Sequence, residues 1–148
     1  MKIIGCVLIF LSSILCSYYY ERYLKIKISK LEELILFVSY IKSKIEYFSI
    51  PLSKIYQKYE NKTIFIDSLI HNFDYKEIQI SKEVDSIICE FFSSLGKGYK
   101  QEQIALCNYT TERLNANLSL IKATSPNKIK IFRALSLFIG ISIIILLV

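Results

Sequence analysis

Apolar residues crowd the two ends of this chain and recur at helical spacing between them. Ile3 to Tyr20 is a run of 18 residues without a charge, and Ala134 to Val148 is a run of 15. Between the runs, Leu31, Leu34, Ile35, Val38, Ile41, Ile45 and Phe48 keep the three-and-four spacing of one helix face over about five turns. Ser29-Lys30-Leu31-Glu32 reads as a capping box at its start. Pro51 ends it, because the residue before a proline is pushed out of the helical region, which makes Ile50 a boundary. Pro51 can open a second helix with Leu52, Ile55, Tyr56 and Tyr59 on one face. Asn61-Lys62 is a break, and Ile64, Phe65, Leu69 and Ile70 mark a third, short helix before a loop over 74–80. Ser81 is a good N-cap for the next helix, where Val84, Ile87, Ile88, Phe91, Phe92 and Leu95 form a strong amphipathic stripe. Gly96 follows the last apolar position, as a left-handed helix terminator does, and Gly96-Lys97-Gly98 is a tight turn. The last helix runs from about Lys100 to Ala123, with Ile104, Cys107, Thr111, Leu114, Leu118 and Ile121 on an a/d-type stripe. Short connections of this kind favour antiparallel neighbours, so the middle of the chain is an all-α antiparallel helical bundle.

The end runs have a different meaning. A spanning helix needs about 20 apolar residues to cross roughly 30 Å of hydrocarbon. Ile3–Tyr20 nearly suffices, and Tyr18, Tyr19, Tyr20 and Tyr23 at its far end resemble half of an aromatic belt. A cleaved signal peptide ending near Cys16 or Ser17 is the competing reading, weakened by an n-region of only Met1-Lys2 and by the missing Ala-x-Ala site. Ala134–Val148 alone is short at about 22 Å. Ser125 as N-cap and Pro126 as first helical residue extend it to a helix over 126–148, in which Lys130 and Arg133 snorkel toward the interface. The expected division is therefore an N-terminal span over 1–20, a helical bundle over 21–125 and a C-terminal span over 126–148.

Charge orients this arrangement. The chain is 53% hydrophobic and carries a net charge of +6, yet every acidic residue and all basic ones but Lys2 lie between Glu21 and Arg133. Arg22, Lys25 and Lys27 follow the first span, and Lys128, Lys130 and Arg133 flank the second. The positive-inside rule then places the central region in the cytoplasm and both termini across the membrane. The same side chains are attracted to anionic headgroups, which makes membrane lipid the expected anionic partner rather than nucleic acid. Candidate chemistry is sparse. The lone His71 cannot build a multi-histidine metal site, and Gly96-Lys97-Gly98 lacks the strand and the Lys-Ser/Thr of a phosphate loop. Cys6 and Cys16 fall in the first span, while Cys89 and Cys107 fall at core-like helix positions. No catalytic constellation, cofactor site, metal site or small-molecule substrate is expected. Lys outnumbers Arg 16 to 3 and Ile occurs 27 times against 4 Ala, a bias that points to an AT-rich genome rather than to any need of the fold.

Two stretches carry a family resemblance. Tyr40 to Leu52, with Glu46, Tyr47 and Pro51-Leu52, resembles the Ile-x-Tyr-x-x-x-Pro-Leu region of stage III sporulation protein AB. Phe92-Ser93-Ser94-Leu95-Gly96, followed by Gln103, resembles that family's Leu-Gly turn and the Gln-bearing helix after it. The opening Lys2-Ile3-Ile4-Gly5 and the apolar tail after Arg133 fit its layout, so the resemblance covers essentially the whole chain. The sequence departs from it at Ile50 (Thr in many members), at Gly98-Tyr99, and at Pro126, where the family often runs straight through. The resemblance implies an endospore former and a non-enzymatic protein of the mother-cell membrane around the forespore. It implies a helical domain similar to the cytoplasmic domains of type II secretion platform proteins, acting in a channel between mother cell and forespore. The implied partners are an ATPase similar to stage III sporulation protein AA and other products of the same operon. It also marks Glu46, Tyr47, Pro51, Leu52, Gly96 and Gln103 as fold or docking residues, with Glu46 the best docking candidate. A generic two-span regulatory or envelope protein with a cytoplasmic helical domain is the alternative.

Overall fold

The structure, a computed structural model, describes residues 2–48, 63, 65–67, 69 and 80–147. It is all-helical over these residues: α1 (Lys2–Phe48), α2 (Lys82–Ser94) and α3 (Lys100–Leu147). The chain divides into a central unit, Ser29–Ser119, and a terminal unit made of Met1–Ile28 and Leu120–Val148.

The central unit is a helical bundle built as the periodicity predicts. Leu31, Leu34, Phe37, Val38 and Ile41 of α1 are buried with Val84, Ile87, Ile88 and Phe91 of α2 and with Cys107 and Leu114 of α3. Phe37 and Phe92 approach with ring centroids 6.4 Å apart. A helical turn at 65–67 adds the buried Ile66, Leu69 is buried as well, and Thr63 donates to the Glu33 carboxylate at 2.9 Å. Ser81 is extended at φ −160 and ψ 155, and its hydroxyl accepts from the Val84 amide, so the expected N-cap forms. α2 and α3 are antiparallel, since Gly96 pairs with Gln103 and Glu90 with Arg113.

The terminal unit is an antiparallel helix pair. Glu21 meets Arg133, Tyr20 stacks on Phe132 at 4.3 Å between centroids, and Ser13 donates to the Ser136 carbonyl at 2.6 Å. From residues 20–21 of α1 to Ser13 the partners on α3 advance from 132–133 to Ser136 and Gly140. The close approach is made by small residues: Ser17 and Gly140 are buried, and a Cβ on Gly140 would sit 3.3 Å from Ser13.

Three expectations are corrected here. Ser29 does not cap a helix; α1 continues through it from Lys2. Neither Gly nor Pro interrupts 6–50, so nothing obliges the chain to leave the helix and use the capping box. Ser125-Pro126 does not start a helix either, because α3 runs through Pro126. A proline inside a helix loses one amide bond and crowds the preceding turn. Ser125 does not act as a cap here: its hydroxyl bonds back to the Ile121 carbonyl at 2.6 Å, as a serine inside a helix does, and the carbonyl that Pro126 leaves without its amide is that of Lys122. Cys89, placed at a core-like position from its helix register, is exposed on α2, whereas Cys107 is buried.

Among the described residues no helix is long and apolar enough to cross a membrane. The runs Ile3–Tyr20 and Ala134–Val148 extend beyond the described side chains, which begin at Leu11 and end at Ile145. The expected helix over 52–59, the loop over 74–79 and His71 also lie outside the described residues.

Candidate functional site

One end of the central unit gathers the sequence motifs. The turn between α2 and α3 needs two residues with positive φ, and glycine supplies both: Gly96 at 84° and Gly98 at 148°. Gln103, only 7% exposed, fixes that turn. Its side-chain oxygen accepts from the Gly96 amide at 2.8 Å, and its side-chain nitrogen donates to the Ser94 carbonyl at 3.4 Å. The Tyr99 amide donates to the Glu102 carboxylate at 3.0 Å, which caps the start of α3. Lys100 Nζ then reaches across to the Glu46 backbone carbonyl at 2.6 Å and satisfies one of the free acceptors at the end of α1. The Gly96 turn and the last turn of α1 therefore share one end of the unit. Tyr47 and Tyr99 flank this bond and stand 74% and 82% exposed, and Glu46 is exposed beside them.

Of the six motif residues, the structure thus gives Gly96 and Gln103 a fold role and leaves Glu46 and Tyr47 at the surface. Pro51 and Leu52 lie outside the described residues. Tyr99 and Lys100 were missed by sequence reading. Only the Lys100 bond to Glu46 reveals that they belong to the same end, and no local spacing announces it.

The basic residues flanking the terminal runs form a second cluster. Lys25 pairs with Glu21 at 2.9 Å, and Arg133 pairs with the other oxygen of the same carboxylate at 3.1 Å. The Lys25 hydrogen bond, with lesser help from Arg133, holds the Glu21 carboxyl below the ordinary carboxylate range. Lys27 lies over the Tyr23 ring at 4.6 Å. Arg22, Lys128 and Lys130 are exposed. The sequence listed the cations but not Glu21, the acid that joins two of them.

Burial pushes the Cys107 thiol up to about 11, so it stays protonated and unreactive at neutral pH. Among the described residues no group of three metal-ligating side chains comes together.

The family model of stage III sporulation protein AB matches residues 2–65 and 67–148. The chain belongs to the stage III sporulation protein AB family. Membership places it in spore formation, in a family of structural rather than known enzymatic proteins. No curated protein and no solved structure matches the sequence. The Leu-Gly turn and following Gln of stage III sporulation protein AB are, in this chain, a helix terminator and the side chain that ties it down.

Proposed function

We propose that the protein is a non-enzymatic platform component of the sporulation channel, held in the mother-cell membrane around the forespore by residues 1–20 and 126–148. The central bundle faces the mother-cell cytoplasm and couples the channel to a cytoplasmic ATPase. One observation carries the membrane part of this reading. In the terminal unit, large apolar side chains are exposed on both helices, among them Leu15 at 65%, Leu135 at 55%, Phe138 at 72% and Ile145 at 73%. A protein surface in water rarely keeps so continuous an apolar patch. Hydrocarbon does not penalise it, and helices packed in hydrocarbon approach through small residues, as Ser13, Ser17, Ser136 and Gly140 do. Apart from Lys2 at the far end, the charged residues of the unit fall within 21–28 and 122–133, the level at which headgroups would meet them.

The coupling part of the reading is supported by the end of the central unit that carries Tyr47 and Tyr99. Tyrosine combines a large contact area with few side-chain torsions, which is why it concentrates at binding hot spots. Here the two rings stand on a frame already fixed by Gln103 and Lys100, so little further ordering is needed on docking. Replacing both tyrosines by alanine is expected to lower the yield of heat-resistant spores by at least tenfold. The protein level and its membrane fraction should stay unchanged, since neither ring is buried. Parental spore yield from that double variant would overturn the assignment of this end as the docking face.

A further inference from the structure

The terminal unit carries a groove of about 330 Å³ whose two ends differ in chemistry. Its walls are Ile14, Tyr18 and Leu137, with Ser17 and Ser136 at its floor, and it ends at the Glu21–Arg133 pair. From Ile14 to Glu21 is seven residues, about 10 Å of helix rise, so the apolar part is about that long. At the charged end the balance is positive. Arg133 offers five N–H donors, of which the Glu21 bond takes one, and Lys25 offers three. Arg133 is 58% and Lys25 72% exposed along the side chain, so both retain donors that face outward. One carboxylate against two cations leaves a net charge of +1.

We propose that this groove is a specific site for an anionic phospholipid, its phosphate on Arg133 and Lys25 and the upper part of one acyl chain along Ile14, Tyr18 and Leu137. The proposal rests on the membrane reading above and adds to it a chosen lipid rather than a bulk annulus. The ligand must be anionic at one end and apolar over the next 10 Å or so, and a planar guanidinium is well matched to phosphate oxygens. A zwitterionic headgroup is disfavoured because it brings an ammonium to a place whose one carboxylate is already shared by two cations. Free phosphate would gain only the exposed cations and nothing from the groove, and pairs this exposed contribute little in water.

The test uses the full chain extracted in a mild detergent with equal phosphatidylglycerol and phosphatidylcholine, with native mass spectrometry reading the lipid retained. Phosphatidylglycerol is expected in at least fivefold excess. Arg133→Gln should remove most of that excess, Arg133→Lys should keep part of it, and Leu137→Trp, which fills the groove, should lower retention of the lipid. Lys97→Gln, on the α2–α3 turn, should change nothing. Far-ultraviolet circular dichroism shows whether each variant keeps its helix content. Equal retention of the two lipids, indifference to Arg133→Gln in a folded variant, or displacement by millimolar inorganic phosphate would each overturn the site. Alkaline extraction of the cells separates the two readings. A protein released by it contradicts membrane anchoring itself, whereas one that stays behind without lipid preference loses only the groove.

Discussion

Arginine in place of Phe138 is expected to abolish translocation of the C-terminus in most of the molecules. The penalty for a charge near the centre of a spanning helix is about 3 kcal/mol, a factor of roughly a hundred in the insertion equilibrium. The site is a demanding one. Phe138 is the fifth residue of the run Ala134–Val148, so a charge there leaves ten apolar residues, about 15 Å, which is half the hydrocarbon thickness. Phe138 is also 72% exposed and supports no core. In water the same change would be nearly silent, as surface substitutions usually stay within about 0.5 kcal/mol. The readout is an alkaline phosphatase fused after Val148 of the full chain, active only when carried across the membrane. Leu36→Arg on the central unit, where Leu36 is 63% exposed, provides the contrast and should leave the fusion as active as the parent. Equal activity in both variants would mean that the exposed apolar side chains of the terminal unit do not face lipid.

Phe91→Ala is expected to destabilise the central unit by about 3–5 kcal/mol, the usual cost of deleting a buried aromatic ring. Phe91 has no exposed surface, sits on the apolar face of α2 and meets Phe92 edge-on at 5.4 Å. Val84, Ile87 and Ile88 on the same face are themselves buried, so the surroundings have little freedom to close over the gap. Stabilities of whole domains are about 5–15 kcal/mol, and a loss of this size should be plain as a lowered midpoint in urea unfolding followed by circular dichroism in micelles. Leu36→Ala in the same assay should shift the midpoint little. A loss below 1 kcal/mol for Phe91→Ala would contradict the packing of α2 into this core.

How much of this was legible in the sequence depends on the range of the interaction that decides each feature. The α2 stripe, the Ser81 cap and the left-handed Gly96 are set by neighbours within a few residues, and all three are found as expected. Helix boundaries that depend on competition were misread. Ser29-Lys30-Leu31-Glu32 has the residues of a capping box, but a capping box matters only where the chain leaves the helix, and the stretch from Tyr20 to Ser29 contains nothing that ends one. Ser125-Pro126 has the residues of a helix start, but the Ser125 hydroxyl bonds back to the Ile121 carbonyl within a continuous helix instead of capping a new one. The register of α2 suggested burial for Cys89, yet its stripe is narrower than that, and Ile88 and Phe91 take the core positions on either side. The candidate sites divide in the same way. Gly96 and Gln103 explain each other through one hydrogen bond, and the family motif that pairs them has a local physical reason. The nearness of Tyr47 to Lys100, and of Glu21 to Arg133, joins residues more than fifty positions apart and leaves no trace in local spacing.

The central claim is a membrane hairpin that holds the bundle on the cytoplasmic side, and native Cys89 tests it directly. It is exposed on α2 of the central unit, and Cys107 is buried there, so a variant with only Cys6 and Cys16 replaced presents Cys89 as the one accessible thiol of α2 and α3 without a new side chain in the bundle. Bacterial protoplasts expressing that variant are treated with a membrane-impermeant maleimide before and after permeabilisation. The account predicts no labelling in intact protoplasts, full labelling once the membrane is opened, and retention of the labelled protein in the membrane pellet. Labelling of intact protoplasts, or labelled protein free in the supernatant, would contradict it.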